Sequence, residues 1–176
     1  SGESLLAPPG LSGAGATPRW TQLAGDPRSD RIALGVNTEG GEAWLATWSG
    51  SAWVDSTVAT TVSSATDAAT VAVAFEGTSG QALAIYGVAG PNEVHSRTWA
   101  AGSGWSPAAT LLATGKKPNT VVLATDRTSD RVGVLVQDDT HALTTAIWDG
   151  AAWTALTELE ADTGESKFQP FTWVWE

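Results

Sequence analysis

A hairpin turn that returns every fifty residues limits what this chain can become more than any other feature of its sequence. Asp26-Pro27-Arg28-Ser29-Asp30-Arg31 recurs as Glu76-Gly77-Thr78-Ser79-Gly80-Gln81 and again as Asp126-Arg127-Thr128-Ser129-Asp130-Arg131. The leading acids Asp26, Glu76 and Asp126 share one register, and Glu176 falls on the next position of the series. The flanks keep the same register. Val71–Phe75 aligns with Val121–Thr125 and with Phe171–Trp175, and each turn is followed by a second apolar run such as Ala82–Tyr86 or Val132–Val136. A third run ends in Trp48, Trp99 or Trp148, and a Gly-containing turn leads to a second Trp at 53, 105 or 153. Repetition at such a period means one supersecondary unit that buries its faces only by stacking on its neighbours.

Each unit reads as four strands separated by turns. Runs of four to eight residues rich in Val, Thr, Ile and Trp, bounded by Gly, Ser and Asp, are strand signals. No stretch sustains a 3.6-residue period, and Gly or Thr interrupts every candidate helix. The expected fold is therefore all-β: three tandem four-stranded antiparallel repeats, propeller-blade-like, plus one strand of a fourth. The expected division is an extended N-terminal arm over 1–18 and a single β-repeat domain over 19–176. Its repeats run about 19–66, 67–117 and 118–167, with a closing strand at 168–176. A propeller and another stacked-sheet form both satisfy this pattern.

On these residues the units resemble the Trp-rich, propeller-like tandem repeats of large exported bacterial proteins of unassigned function. The resemblance covers residues 20 to 176 and rests on the acid–x–x–Ser–Gly/Asp hairpin. It implies an exported location and a stacked-sheet architecture, and it implies no activity.

Composition narrows the partners. Nine Lys and Arg against 19 Asp and Glu give a net charge of −10, which argues against nucleic acid and anionic membranes, since phosphate binding needs a cationic face. No apolar run approaches the ~20 residues of a membrane span. Cysteine is absent, so no disulfide, thiolate metal site or thiol nucleophile is available. An extracellular or cell-surface protein is expected, with no cofactor.

The strand Phe168–Glu176 has no partner within its own repeat, and Ser1-Gly2-Glu3-Ser4-Leu5-Leu6 resembles the other half of the interrupted hairpin. An uncovered strand edge invites pairing, either with the same chain's N-terminus or with that of a neighbour. The expected function is a structural subunit of an extracellular filament or surface appendage, a homopolymer assembled by strand exchange. Ser1, Gly2, Leu5, Leu6, Phe168, Phe171, Trp173, Trp175 and Glu176 would form its assembly interface. The alternative is a carbohydrate-binding, propeller-type lectin that recognises surface glycans.

Ten Trp residues suit either sugar stacking or a packing layer, and recurrence at one blade position favours packing for Trp48, Trp99 and Trp148. The turn acids offer one or two carboxylates each, beside Arg31 or Arg131, so turn capping is favoured over a Ca²⁺ site needing six to eight oxygens. Asp138-Asp139 reads as a solvated hairpin tip. His95 and His141 fall in different repeats with no nucleophile motif. No enzyme is expected.

Overall fold

The computed structural model describes residues 17–60, 62, 69–113, 115–164, 169 and 171–176. Among these there is no helix; thirteen strands form three antiparallel sheets. The first sheet contains β1 (Pro18–Gly25), β2 (Ile32–Thr38), β3 (Ala43–Trp48) and β4 (Trp53–Ala59) in sequential order. The second contains β5 (Val71–Phe75), β6 (Ala82–Val88) and β7 (Glu93–Ala100), with β8 (Gly104–Trp105) and β9 (Ala109–Leu112) both pairing with β7. The third contains β10 (Pro118–Thr125), β11 (Val132–Asp138), β12 (Leu143–Trp148) and β13 (Thr157–Glu160). This is the all-β, blade-like architecture expected from the repeat. The looser Trp99-to-Trp105 spacing shows up as an outer strand broken into β8 and β9.

The three acids sit in equivalent turns. Asp26 N donates to Arg31 O at 2.9 Å, Glu76 N to Gln81 O at 2.8 Å and Asp126 N to Arg131 O at 2.9 Å. The second hairpin of each outer blade also repeats, with a left-handed residue at Gly41 (φ 76) and at His141 (φ 66). His141 therefore occupies a turn. Asp138 is not a solvated tip: it is buried and accepts Thr140 N, Thr140 Oγ1 and Ala142 N.

Period-two alternation explains how the sheets stack. In β5, Val71, Val73 and Phe75 face the first sheet, with Ala33, Ala43 and Leu45 in the same core. Ala72 and Ala74 face the third sheet and meet Val121, Leu123 and Val134. Both faces of the middle blade are thus covered, which is why β5 and β6 are buried along their whole length. β5 also packs against β1 on one side and β10 on the other, so the three first strands line one inner wall.

Residues 171–176 lie over the third blade. Trp173 covers Gly133, where an added Cβ would fall 2.5 Å from the indole, and Trp175 Nε1 donates to Ala124 O at 2.9 Å. Within the expected closing strand, 171–176 carries no strand ladder among the described residues. Ser1, Gly2, Leu5, Leu6 and Phe168 lie outside the described residues.

Candidate functional site

Each blade meets the next through its turn acid and the residue five positions later. Asp26 accepts Arg28 N, Ser29 Oγ and Arg31, whose Nη2 lies 2.7 Å away, and the Arg31 guanidinium lies over the Trp99 ring of the second blade at 5.6 Å. Asp126 repeats this with Thr128, Ser129 and Arg131, and Arg131 lies over Trp175 at 4.9 Å. In the middle blade both residues change together. Glu76, one methylene longer, accepts Ser79 Oγ, Gln81 Nε2 at 2.9 Å and Trp148 Nε1 of the third blade at 2.5 Å. The acids are therefore saturated by turn and neighbouring donors. They lock blades together. Among the described residues no three His, Cys, Asp or Glu side chains are grouped to hold a metal.

A second clamp joins the middle and third blades. Asp130 Oδ1 accepts Thr78 N at 2.9 Å, Thr78 Oγ1 at 2.6 Å and Ser79 N at 2.8 Å. These bonds set the acid limit of the fold. At Asp26 burial pushes the pKa up, but the Ser29 hydroxyl, the Arg28 amide and Arg31 outweigh it and hold the carboxyl below its ordinary value. The Ser129 hydroxyl, then Thr128 and Arg131, hold Asp126 well below the usual range, and the Thr78 hydroxyl leads in lowering Asp130. A carboxylate depressed in the fold stabilises it above its unfolded pKa of about 4 and loses that contribution as pH falls through the folded value. The urea midpoint should therefore stay level from neutral pH to about pH 5 and drop below about pH 4. A midpoint level down to about pH 3 would contradict this account of the turns.

Trp99 and Trp148 are buried, whereas Trp48 on the far face of the first blade is half-buried. Packing, not an open row of indoles, is their role. His95 Nε2 pairs with Glu93 at 2.7 Å on β7 and lies 3.4 Å from Thr110 Oγ1, and His141 Nδ1 pairs with Asp162 at 3.3 Å.

Open space is found instead on the inner wall. Where β1, β5 and β10 converge, a cleft of about 570 Å³ is bounded by Gln22, Leu23, Pro27, Leu123, Thr125 and Arg127. A neighbouring cleft of about 460 Å³ shares Thr125 and Arg127 and adds Trp173, Trp175 and Glu176. Three side chains supply the polar chemistry of the first. Gln22 Oε1 accepts Val73 N at 2.9 Å, which leaves the amide Nε2 as a donor. Thr125 Oγ1 donates to Phe75 O at 2.6 Å, which leaves its lone pairs to accept. Arg127 is exposed and has no hydrogen bond or ion pair among the described residues. Leu23, 62% exposed, and Leu123 give the apolar part. Such a mixture suits a small molecule with both C–H faces and hydroxyls.

The clefts gather Trp173, Trp175, Glu176 and Asp126 from the residues singled out in the sequence, while Asp26 and Glu76 belong to the other blade junctions. Gln22, Thr125 and Arg127 were not foreseen. The one available signal for Arg127 is its turn position, held by Pro27 and Gly77 in the other repeats.

No family model matches the chain, and no curated protein matches it significantly. Solved structures do. The SapL1 lectin in complex with α-methyl fucoside aligns with a TM-score of 0.58 at 17% identity, covering 84% of this chain and 49% of that one. A fungal lectin from Aleuria aurantia, described as a six-bladed β-propeller with a novel fucose recognition mode, aligns with a TM-score of 0.53 at 15% identity, covering 86% and 49%. The fold is that of β-propeller blades. The chain spans about half the length of the structures it matches.

The expectation of a filament subunit built by strand exchange is corrected at this point. The matched structures of this fold are described as lectins. Packing gives the physical reason. The blades join through their faces, and Trp173 and Trp175, expected as anchors in a neighbouring subunit, lie against Gly133 and Ala124 of their own chain. Among the described residues no helix is long and apolar enough to cross a membrane.

Proposed function

We propose that this chain is a carbohydrate-binding, propeller-type lectin module that recognises surface glycans outside the cell without turning them over. Residues 19–176 act in this reading as one binding unit, with the axial cleft as its saccharide site. The observation that carries the proposal is that cleft: a sugar-sized hollow on the inner wall of a blade fold, lined by an amide, a hydroxyl and a guanidinium beside leucine side chains. Lectins of the same blade fold bind fucosides, and the net charge of −10 argues against polyanionic partners. Arg127 and Gln22 donate to ring and hydroxyl oxygens, Thr125 accepts, and Leu23 and Leu123 cover the C–H face.

A glycan array with titration calorimetry of the best binders tests this directly. Saturable binding of at least one glycan, competed by its free saccharide, is expected. An array without a single competed signal would overturn the proposal.

A further inference from the structure

We propose that the axial cleft selects saccharides bearing a carboxylate, such as hexuronic acid residues, with Arg127 as the anion anchor; this rests on the saccharide reading of the same cleft. Among the described residues, Arg127 is the only charged side chain lining it. Donors also dominate its polar wall: the Arg127 guanidinium and the Gln22 amide stand against the lone pairs of Thr125, whose own proton is committed to Phe75 O. A wall rich in donors and carrying one cation is matched by a ligand rich in acceptors and carrying one anion. A planar carboxylate takes two parallel bonds from a guanidinium, a geometry that a neutral hydroxyl pair reproduces poorly.

The surroundings keep that charge available. The nearest carboxylate in sequence, Asp126, is engaged by Thr128, Ser129 and Arg131, and Asp26 across the cleft by Ser29 and Arg31. The turns 26–31 and 126–131 together hold four acids (Asp26, Asp30, Asp126, Asp130) and four bases (Arg28, Arg31, Arg127, Arg131), so their formal charge sums to zero on a chain of −10. An anion that the rest of the surface repels is therefore tolerated at this rim. Glu176 lines the adjoining cleft, not the axial one. It would exclude a second carboxylate beyond the first, which favours a single acidic sugar over a polyanion.

The test is titration calorimetry of the intact chain with methyl glucuronide, methyl glucoside, methyl fucoside and acetate, repeated with Arg127→Gln and Arg127→Lys. The uronate is expected to bind more tightly than either neutral glycoside, and more weakly as ionic strength rises. Arg127→Gln should cost it about tenfold or more in affinity, a larger loss than either neutral glycoside shows, with Arg127→Lys recovering part of the loss. Arg127 is exposed, so the variants should melt like the parent. Neutral glycosides binding as tightly as the uronate would overturn the inference and leave the saccharide reading intact. So would an Arg127→Gln variant with undiminished uronate affinity, or acetate matching the uronate. If no saccharide binds, both the inference and the reading fall.

Discussion

Trp99→Ala should lower the stability of the chain by about 3–5 kcal/mol, as other large aromatic deletions do. Trp99 is 2% exposed at the junction of the first two blades. Its ring meets Phe75 edge-on with centroids 6.4 Å apart, supports the Arg31 guanidinium, and donates Nε1 to Asp55 Oδ2 at 2.8 Å. Truncation removes on the order of 200 Å² of buried surface and strips Asp55 and Arg31 of their partner on the other blade. Urea unfolding measures the effect, and Trp20→Ala provides the contrast. Trp20 is 39% exposed on β1, so its loss should cost about 1 kcal/mol or less. Equal costs at the two positions would mean that blade stacking is not what holds the sheets together.

Gly77→Ala should be nearly as damaging, for a steric reason instead of a hydrophobic one. An added Cβ would fall 2.3 Å from the Asp126 carbonyl oxygen and 2.4 Å from that of Ser129. Both obstacles are backbone in the next blade's turn, so no rotamer change relieves the clash. Separation of the turns would also stretch the Gly77 N to Ser129 O bond of 3.0 Å and the threefold clamp on Asp130. A loss of about 3 kcal/mol is expected, the upper part of the range for overpacking. Gly25→Ala serves as control, since nothing lies within 4 Å of its added Cβ. It should be neutral to within about 0.5 kcal/mol. A tolerated Gly77→Ala would place the two turns farther apart than described.

Local chemistry made the fold legible. The fifty-residue spacing of Asp26, Glu76 and Asp126 located three equivalent hairpins because each acid caps its own turn, and capping is written within six residues. Blade contacts are not written that way. Nothing local tells Glu76 to reach Trp148, 72 residues on, or Arg31 to lie over Trp99. Trp173 and Trp175 pack on each other with ring centroids 5.2 Å apart, but periodicity does not say what covers a face. The neighbouring blade of the same chain does so here, where an adjacent subunit was expected. Arg127 was the least visible of all. Its turn position holds Pro27, Gly77 and Arg127 in the three repeats, and a variable position acquires meaning only once the inner wall is seen to be hollow beside it.

The most direct test of the saccharide site is a titration followed by the amide and side-chain resonances of the labelled chain, using the tightest glycan from the array. The account predicts that shifts concentrate at Gln22, Leu23, Thr125 and Arg127, with the buried Trp99 and Trp148 indoles unmoved. Shifts confined to the outer strands β4, β9 and β13, with the inner wall silent, would contradict it.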